Sequence, residues 1–464
     1  MNPLAERVAH LALSTFNSLP QKCKPRTLSD DKTEWTPMSA VVLEEEGRHP
    51  RLTCVSLATG TKCLSATALP RCQGLVVHDS HAEILALRGF NHWILSELEI
   101  ILQDPAHQSP YLEFSLQDDA GMVQNCPFRL KDNVIIHFFT TVAPCGDASM
   151  EILMDSFPSG DATPWPVDSN TTTLLQGRGY FSQLGHVRRK PARADAEPSG
   201  SKSCSDKLAV KQFTSILSFP ADLLIERTPN AYIKSIVVYA DQYNPTGYQR
   251  AFGPEGRLSA LKATGFFFAI EPLPVDFPRF AFERRLQTSV DSKQSKSKTS
   301  NVAAVWVQGA GTKGPDVVEV LINGVKQGYK QWDERSAKAS VVSRRELWAF
   351  GLKIINLLER LDIANNPSNI PGRGYSSWLG MLQRALSAST YEEAESSNLR
   401  KSYKERKMCV TRVLDNWPKN AGDSDWSCTQ PTPQIHTLSG SERLAENTRS
   451  LFNGEGSGPL PQQS

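Results

Sequence analysis

Two spacings of apolar residues alternate along this chain. Near the N-terminus Leu4, Val8, Leu11 and Phe16 recur roughly one face apart, which predicts a short amphipathic helix within residues 1–20. Ala40-Val41-Val42-Leu43 and Leu52-Thr53-Cys54-Val55 read as two strands. Ile84, Leu87, Ile94, Leu98 and Ile101 return to helical spacing, so residues 81–102 predict one long helix. Residues 111–116 and 134–142 read as strands. The second is nearly all apolar, as in a strand buried on both faces. A helix is expected to begin after Pro144, another to span about Ser205 to Phe219, and a strand to follow from Ile233 to Tyr239. Strand signals return at 302–307 and 317–322, and helical patterns near 343–361, 376–388 and 391–415 close the fold.

Three stretches lack either period. Residues 157–203 are poor in apolar residues and carry the basic run Arg188-Arg189-Lys190 with Arg193, so they read as a long insertion. Residues 287–301, and the polar tail beyond about Ser427, read as disordered. The expected organisation is therefore a helix at 1–20, a domain at 21–426 interrupted near 157–203 and 287–301, and a tail at 427–464.

The chain has 464 residues, 39% hydrophobic and 22% charged, enough to bury a sizeable core. A net charge of +2 does not itself indicate nucleic acid, so a basic surface must come from local clustering. No run approaches eighteen apolar residues, and Met1 to Gln21 lacks a secretory core; neither membrane insertion nor secretion is expected. Nine cysteines without a Cys-x-x-Cys pair suit a reducing compartment, cytosol or nucleus. There a cysteine is a core residue, a metal ligand or a catalytic group.

Three motifs carry the candidate chemistry: Asp79-Ser80-His81-Ala82-Glu83, Pro144-Cys145-Gly146-Asp147, and Ser203-Cys204-Ser205-Asp206-Lys207. Each is expected at a helix start, where the backbone favours thiolate over thiol. Alone, each has an ordinary reading: a chance His-x-Glu, a packed turn, a core thiol. Together they match what zinc-dependent nucleobase deamination needs. One His and two Cys hold the metal and leave a position for water, and a Glu two residues after the His moves protons without ligating. The usual signature has its cysteines three positions apart. Here position 148 is Ala148, so the second thiolate falls to Cys204, far along the chain.

With this distant second cysteine, the motifs resemble the adenosine-to-inosine RNA deaminases, and so does Thr59-Gly60-Thr61-Lys62-Cys63. Glu34-Trp35-Thr36, Leu184-Gly185 with Arg188 and Lys190-Pro191, and Ala231-Tyr232 resemble the tRNA-specific branch, of fungal type, over about residues 20 to 426. The resemblance implies an α/β fold: a cytidine-deaminase-like mixed sheet sandwiched by helices, with an added C-terminal helical portion. It implies zinc on His81, Cys145 and Cys204, Glu83 as proton shuttle, and Thr61 and Lys62 beside a flipped nucleotide. The implied partner is tRNA, with position 37 of alanine tRNA as target, bound by a monomer without DNA. Flipping a base from an anticodon loop costs less than from a duplex.

Relatives that edit duplex RNA also bury inositol hexakisphosphate, and the resemblance extends to Arg88, Lys190, Lys207, Tyr403, Lys407, Trp417 and Lys419. Asp79, Lys190 and Lys207 match a polar relay from that ligand to the zinc site. Three expected cations are replaced, by Leu87, Val210 and Glu395, with Arg400 and Arg406 as candidate substitutes. The charges of the last helix, Lys401, Lys404, Arg406 and Lys407, also fit a solvated face. Part of the run 188–190 is expected at tRNA phosphates. Two other functions remain open at this point. An editor of duplex RNA would need separate RNA-binding modules, for which a resemblance starting near residue 20 leaves no expected room. A silent tRNA-binding scaffold would have no use for Glu83.

Overall fold

In the central strands, alternate side chains enter opposite cores. Met38, Ala40 and Val42 face one, and Val41 and Leu43 the other. Val302, Ala304 and Trp306 likewise oppose Ala303, Val305 and Val307. Burial on both faces explains why these strands read as continuous apolar runs.

The computed structural model describes residues 3–27, 34–104, 106–115, 126–155, 175–176, 183–190, 197, 199–284, 298–311, 314–364 and 375–428. In chain order the elements begin α1 (Pro3–Ser18), β1 (Met38–Glu45), β2 (Arg51–Thr59), β3 (Thr61–Cys63), β4 (Asp79–His81), α2 (Ala82–Gln103), β5 (Leu112–Phe114), β6 (Phe128–Leu130) and β7 (Val134–Thr140). Next come α3 (Met150–Asp155), β8 (Leu175–Gln176), β9 (Arg188–Arg189), α4 (Cys204–Thr214), α5 (Ala221–Leu224), β10 (Ile233–Val238), α6 (Pro245–Phe252) and β11 (Ala269–Pro272). The remainder are β12 (Val302–Val307), β13 (Val317–Ile322), β14 (Val325–Lys326), α7 (Arg344–Ala364), α8 (Tyr375–Leu386), α9 (Tyr391–Glu395) and α10 (Lys401–Val413).

Eight strands form one mixed sheet in the order β11-β10-β7-β1-β2-β12-β13-β14. β7, β10 and β11 run parallel, and the other pairings are antiparallel. Helix α1 covers one face with Leu273, Phe277 and Phe280. The long, largely buried α2 covers the other with residues of α4, α6 and the C-terminal helices. This is the expected α/β layering. The chain leaves the C-terminal ends of the parallel strands β7 and β10 toward Cys145 and α6, the end where open α/β sheets gather ligands. No helix among the described residues is long and apolar enough to cross a membrane.

Several elements depart from expectation. Cys145 does not open a helix: a 3-10 turn begins only at Asp147 and α3 at Met150. Gly146, at φ 103°, takes the chain out of helical geometry. The helix expected to Phe219 ends at Thr214, where Ser215 has φ 67°. The last expected helix splits into α9 and α10. Ser396 and Ser397 bond to the Glu393 carbonyl and the Leu399 amide, competing with helical pairing. Residues 298–301 are ordered rather than loose: Trp35 bridges Thr299, and Ser300 is buried. Of the expected insertions and tail, residues 157–174, 177–182, 191–196, 198, 287–297 and 429–464 lie outside the described residues.

His92, on α2, lies edge-on to Phe350 of α7, and burial lowers its imidazole from 6.5 to about 4. The unfolded chain takes up this proton first, so stability is lost as pH falls from about 6.5 toward 4. Between pH 7 and 5 this residue should cost on the order of 2 kcal/mol. Urea unfolding should show His92→Phe, which keeps a ring against Phe350, losing that much less stability than the parent chain. Equal losses would mean that His92 does not contribute.

Candidate active site

Three distant segments bring the motif residues together. β4 ends on His81, which caps the start of α2, and its pairing with β3 sets Thr61 opposite His81. Cys145 follows β7, 64 residues after His81, and Cys204 opens α4, 59 residues later again. Ser203 caps α4 by accepting from the Asp206 amide. The two cysteine turns touch directly. A Cβ on Gly146 would lie 2.2 Å from Ser203 Oγ, so only glycine permits this approach. Ser205 stitches the turns together: its amide donates to Cys145 O at 3.0 Å and its hydroxyl to Pro144 O at 2.9 Å.

His81 Nδ1 lies 3.8 Å from Cys145 Sγ and 3.6 Å from Cys204 Sγ, and the three atoms fall within 4.8 Å of one another. The Cys204 amide donates to Cys145 Sγ at 3.3 Å. The hydrogen bond with Cys204, followed by Lys190 and His81, pulls the Cys145 thiol well below its ordinary range. Burial, with Cys145 beside it, pushes the Cys204 thiol upward. Glu83, the second residue of α2, is 4% exposed, and burial raises its carboxyl. Its Oε2 has no hydrogen-bond partner among the described residues, and neither does the buried Thr61 Oγ1. Two sulfurs and an imidazole nitrogen at this spacing, beside an unpartnered carboxylate oxygen, fit a zinc ion with one position left for a reacting water.

Behind the cysteines lies a buried charge cluster. Lys190 Nζ donates to both oxygens of Asp79, at 2.9 and 2.7 Å, and to Cys204 Sγ at 3.3 Å. Lys207 donates to Asp79 and to Ser201 Oγ, which also donates to Asp79. Burial alone would raise Asp79, but Lys190 and Lys207 hold it well below the usual carboxylate range.

Further cations gather beyond Asp79. Burial, then the neighbouring charges of Lys207, Lys407 and Arg344, lower Lys202 to about 7, and burial lowers Arg88 to about 10. Lys202 Nζ sits 5.1 Å over the Trp417 ring, and Lys407 Nζ 5.9 Å over Tyr403. The Lys419 side chain is exposed, as is Lys62. Arg400 is committed to Asp222 at 2.7 Å and lies 3.5 Å from Glu395, so its charge answers those acids; Arg406 is exposed. The run 188–190 is not a free surface patch. Arg188 and Lys190 are buried and Arg189 is half-buried, while Arg193 lies outside the described residues.

Lys202, Lys211, Arg344, Arg250 and Arg257 were not marked by the motifs. For Arg250 and Arg257 the signal was indirect: the buried Asp147 and Asp206, two positions after each cysteine, require cations from elsewhere. A second ligand-like trio, Cys72, His78 and Asp423, works as a clasp. His78 Nε2 lies 2.5 Å from Asp423 Oδ2, and the Gly74 amide donates to Asp423 Oδ1 at 2.6 Å. Burial pushes the Cys72 thiol up to about 12, and Arg344 stands 3.9 Å from Asp423. Through the Gly74 amide, His78 and Arg344, Asp423 ties the C-terminal segment to the loop before β4 and the start of α7.

Residues 56–421 match the model of the adenosine-deaminase (editase) domain. The chain is similar to tRNA-specific adenosine deaminase 1 of Schizosaccharomyces pombe, 31% identical over 90% of this chain and 95% of that protein. It is 32% identical to tRNA-specific adenosine deaminase 1 of Saccharomyces cerevisiae over 51% of this chain and 58% of that protein. Similarity to double-stranded RNA-specific editase B2 of Rattus norvegicus is lower, 27% over 55% of this chain and 32% of that protein. The match covers all three motifs, each in the segment where the fold converges, and on that ground the chain belongs to the adenosine-deaminase (editase) domain family and is an adenosine deaminase.

Proposed function

We propose that this chain converts adenosine to inosine in tRNA, at position 37 of alanine tRNA, using zinc held by His81, Cys145 and Cys204. The observation that carries the reading is Glu83, a buried carboxylate with an unpartnered oxygen beside the three converging ligand atoms. The tRNA substrate is supported by the relatives named as tRNA-specific deaminases.

Zinc on this ligand set would supply Lewis acidity that brings the pKa of a water toward neutrality. Glu83 does the proton work. Its Oε2 takes a proton from the attacking water and delivers protons to the ring nitrogen and the departing amine. One water oxygen replaces the amine at carbon six of adenine, and ammonia leaves. Burial favours the protonated carboxyl between these steps. The pairing of Thr61 with His81 and its unpartnered Oγ1 support a role for Thr61 beside the nucleotide, and the adjacent exposed Lys62 is suited to a phosphate.

The same reading includes inositol hexakisphosphate among Arg88, Lys190, Lys202, Lys207, Tyr403, Lys407, Trp417 and Lys419. Support comes from Lys202, whose ammonium is disfavoured by burial and three cationic neighbours. A polyanion would reverse that penalty. The substitutions at Leu87, Val210 and Glu395 reduce the cation set without emptying it.

Purified chain incubated with alanine-tRNA transcript should form inosine at position 37. Glu83→Gln should lower the rate by about 10²–10⁴-fold, with zinc content by mass spectrometry unchanged. Inosine at another position would overturn the target. Activity on duplex RNA alone would favour the duplex editor, and an undiminished variant would remove Glu83 from the chemistry.

Acid extraction of the purified chain should release inositol hexakisphosphate in stoichiometric amount. The double variant Lys202→Ala, Lys207→Ala should retain markedly less. Parent protein free of organic phosphate, yet folded and active, would dismiss the ligand.

A further inference from the structure

The two cysteine motifs share a pattern that zinc ligation does not require. Each cysteine is followed, two positions later, by an aspartate: Cys145-Gly146-Asp147 and Cys204-Ser205-Asp206. Both aspartates are fully buried, and neither lies in the set of potential metal ligands at the site. Each receives one arginine from the same short stretch of chain, α6 and the turn after it.

Arg250 Nε lies 3.1 Å from each carboxylate oxygen of Asp147, and Arg250 Nη2 donates to the Asp147 carbonyl at 2.9 Å. The same guanidinium holds both oxygens of Glu151, the second residue of α3. The Gly185 amide donates to Asp147 Oδ1 at 2.7 Å. At the other cysteine, Arg257 Nη1 donates to Asp206 Oδ1 at 2.6 Å. Asp206 Oδ2 accepts from Ser203 Oγ at 2.6 Å and from the Arg188 amide at 3.0 Å. The arginines are themselves joined: the Arg257 amide donates to the Arg250 carbonyl at 2.9 Å, and Arg257 Nε to the Ala251 carbonyl at 3.3 Å.

We propose that Arg250 and Arg257 are positioning residues that form one staple across the two cysteine turns and set the separation of the two thiolates. Where two cysteines stand three positions apart, a single helical turn fixes their spacing. Here they stand 59 positions apart, so that spacing is a tertiary property and needs a tertiary device. A guanidinium is the suitable group, because its planar fork fixes direction as well as distance. Each guanidinium is matched by a buried carboxylate, so the staple orders the turns without adding uncompensated charge next to the sulfurs. Outer partners of this kind typically hold 10–100-fold in metal affinity.

This inference rests on the zinc reading, and one experiment separates the two. Apparent zinc affinity is measured by chelator competition for the parent chain, Arg250→Gln, Arg250→Lys, Arg257→Gln and Arg257→Lys. Arg279→Gln, which removes an exposed arginine bound to Asp241 and Glu283, is the control. Thermal midpoints at saturating zinc are recorded alongside. Each Gln variant should weaken zinc binding by about tenfold or more, the Lys variants less, and the control not at all. Variants with parent-like affinity and a lowered midpoint at saturating zinc would reduce the arginines to general structural support. So would variants that stay unfolded in excess zinc. A parent chain that holds no zinc would sink the zinc reading and the staple together, whereas unchanged affinity in the variants sinks the staple alone.

Discussion

One ammonium group carries the arrangement of this site. Lys190 Nζ, with its side chain 4% exposed, reaches both oxygens of Asp79 and the sulfur of Cys204. An isolated ammonium at that depth would shed its proton. Burial pulls Lys190 in that direction, but Asp79 and the two cysteines outweigh it and hold the group charged. The contact joins β4, the end of β9 and the start of α4, three segments with no sequence continuity. It also stabilises negative charge on the thiols before any dication arrives. Moving Lys190 would disturb Asp79 and Cys204 at once.

The same cluster has an unbalanced side. Asp79 forms its ion pairs with Lys190 and Lys207 and acts on Arg88 only as a weaker field, while Arg344 stands 3.9 Å from Asp423. Arg400 has its own acids in Asp222 and Glu395, and Lys211 is held by the Ile216 and Leu217 carbonyls and the Ser218 hydroxyl. Among the described residues Lys202 meets the Pro418 carbonyl and the Trp417 ring, and burial with like-charged neighbours pushes it down to about 7. Cations gathered this way gain stability from an anion of high charge density.

Periodicity was most informative where burial was simplest. The strands at 302–307 and 317–322 and the long helix from 82 read through because their apolar runs are long and uninterrupted. The ribbon of β3 and β4 did not, since three-residue strands are too short to display a period. The break at Ser396 and Ser397 was hidden because local side-chain hydrogen bonds leave no apolar signature. The residues that converge at His81 stood out because each brings its neighbours along in a short motif. Lys202, Arg250 and Arg257 did not, because their partners are set by the fold. The pairing of Arg257 with Asp206 spans 51 residues, and that of Arg250 with Asp147 spans 103.

Such long spans constrain how the site can arise. β4 needs β3 for its register, Cys145 needs β7 in the sheet, Cys204 needs the cap and carboxylate of α4, and both cysteine turns meet residues of α6 or the turn beyond it. No contiguous piece shorter than about Thr61 to Arg257 contains all these parts. The ligand set therefore comes together only when the sheet and its first helical layer have formed. Metal binding to a site of that kind draws its affinity from an ordered fold and returns it as stability to the same segments. A deaminase whose cysteines lie on one helix can preform its ligand spacing locally. This chain lacks that shortcut, and the fully buried Asp147 and Asp206, each with its own arginine, are where the fold supplies the missing constraint.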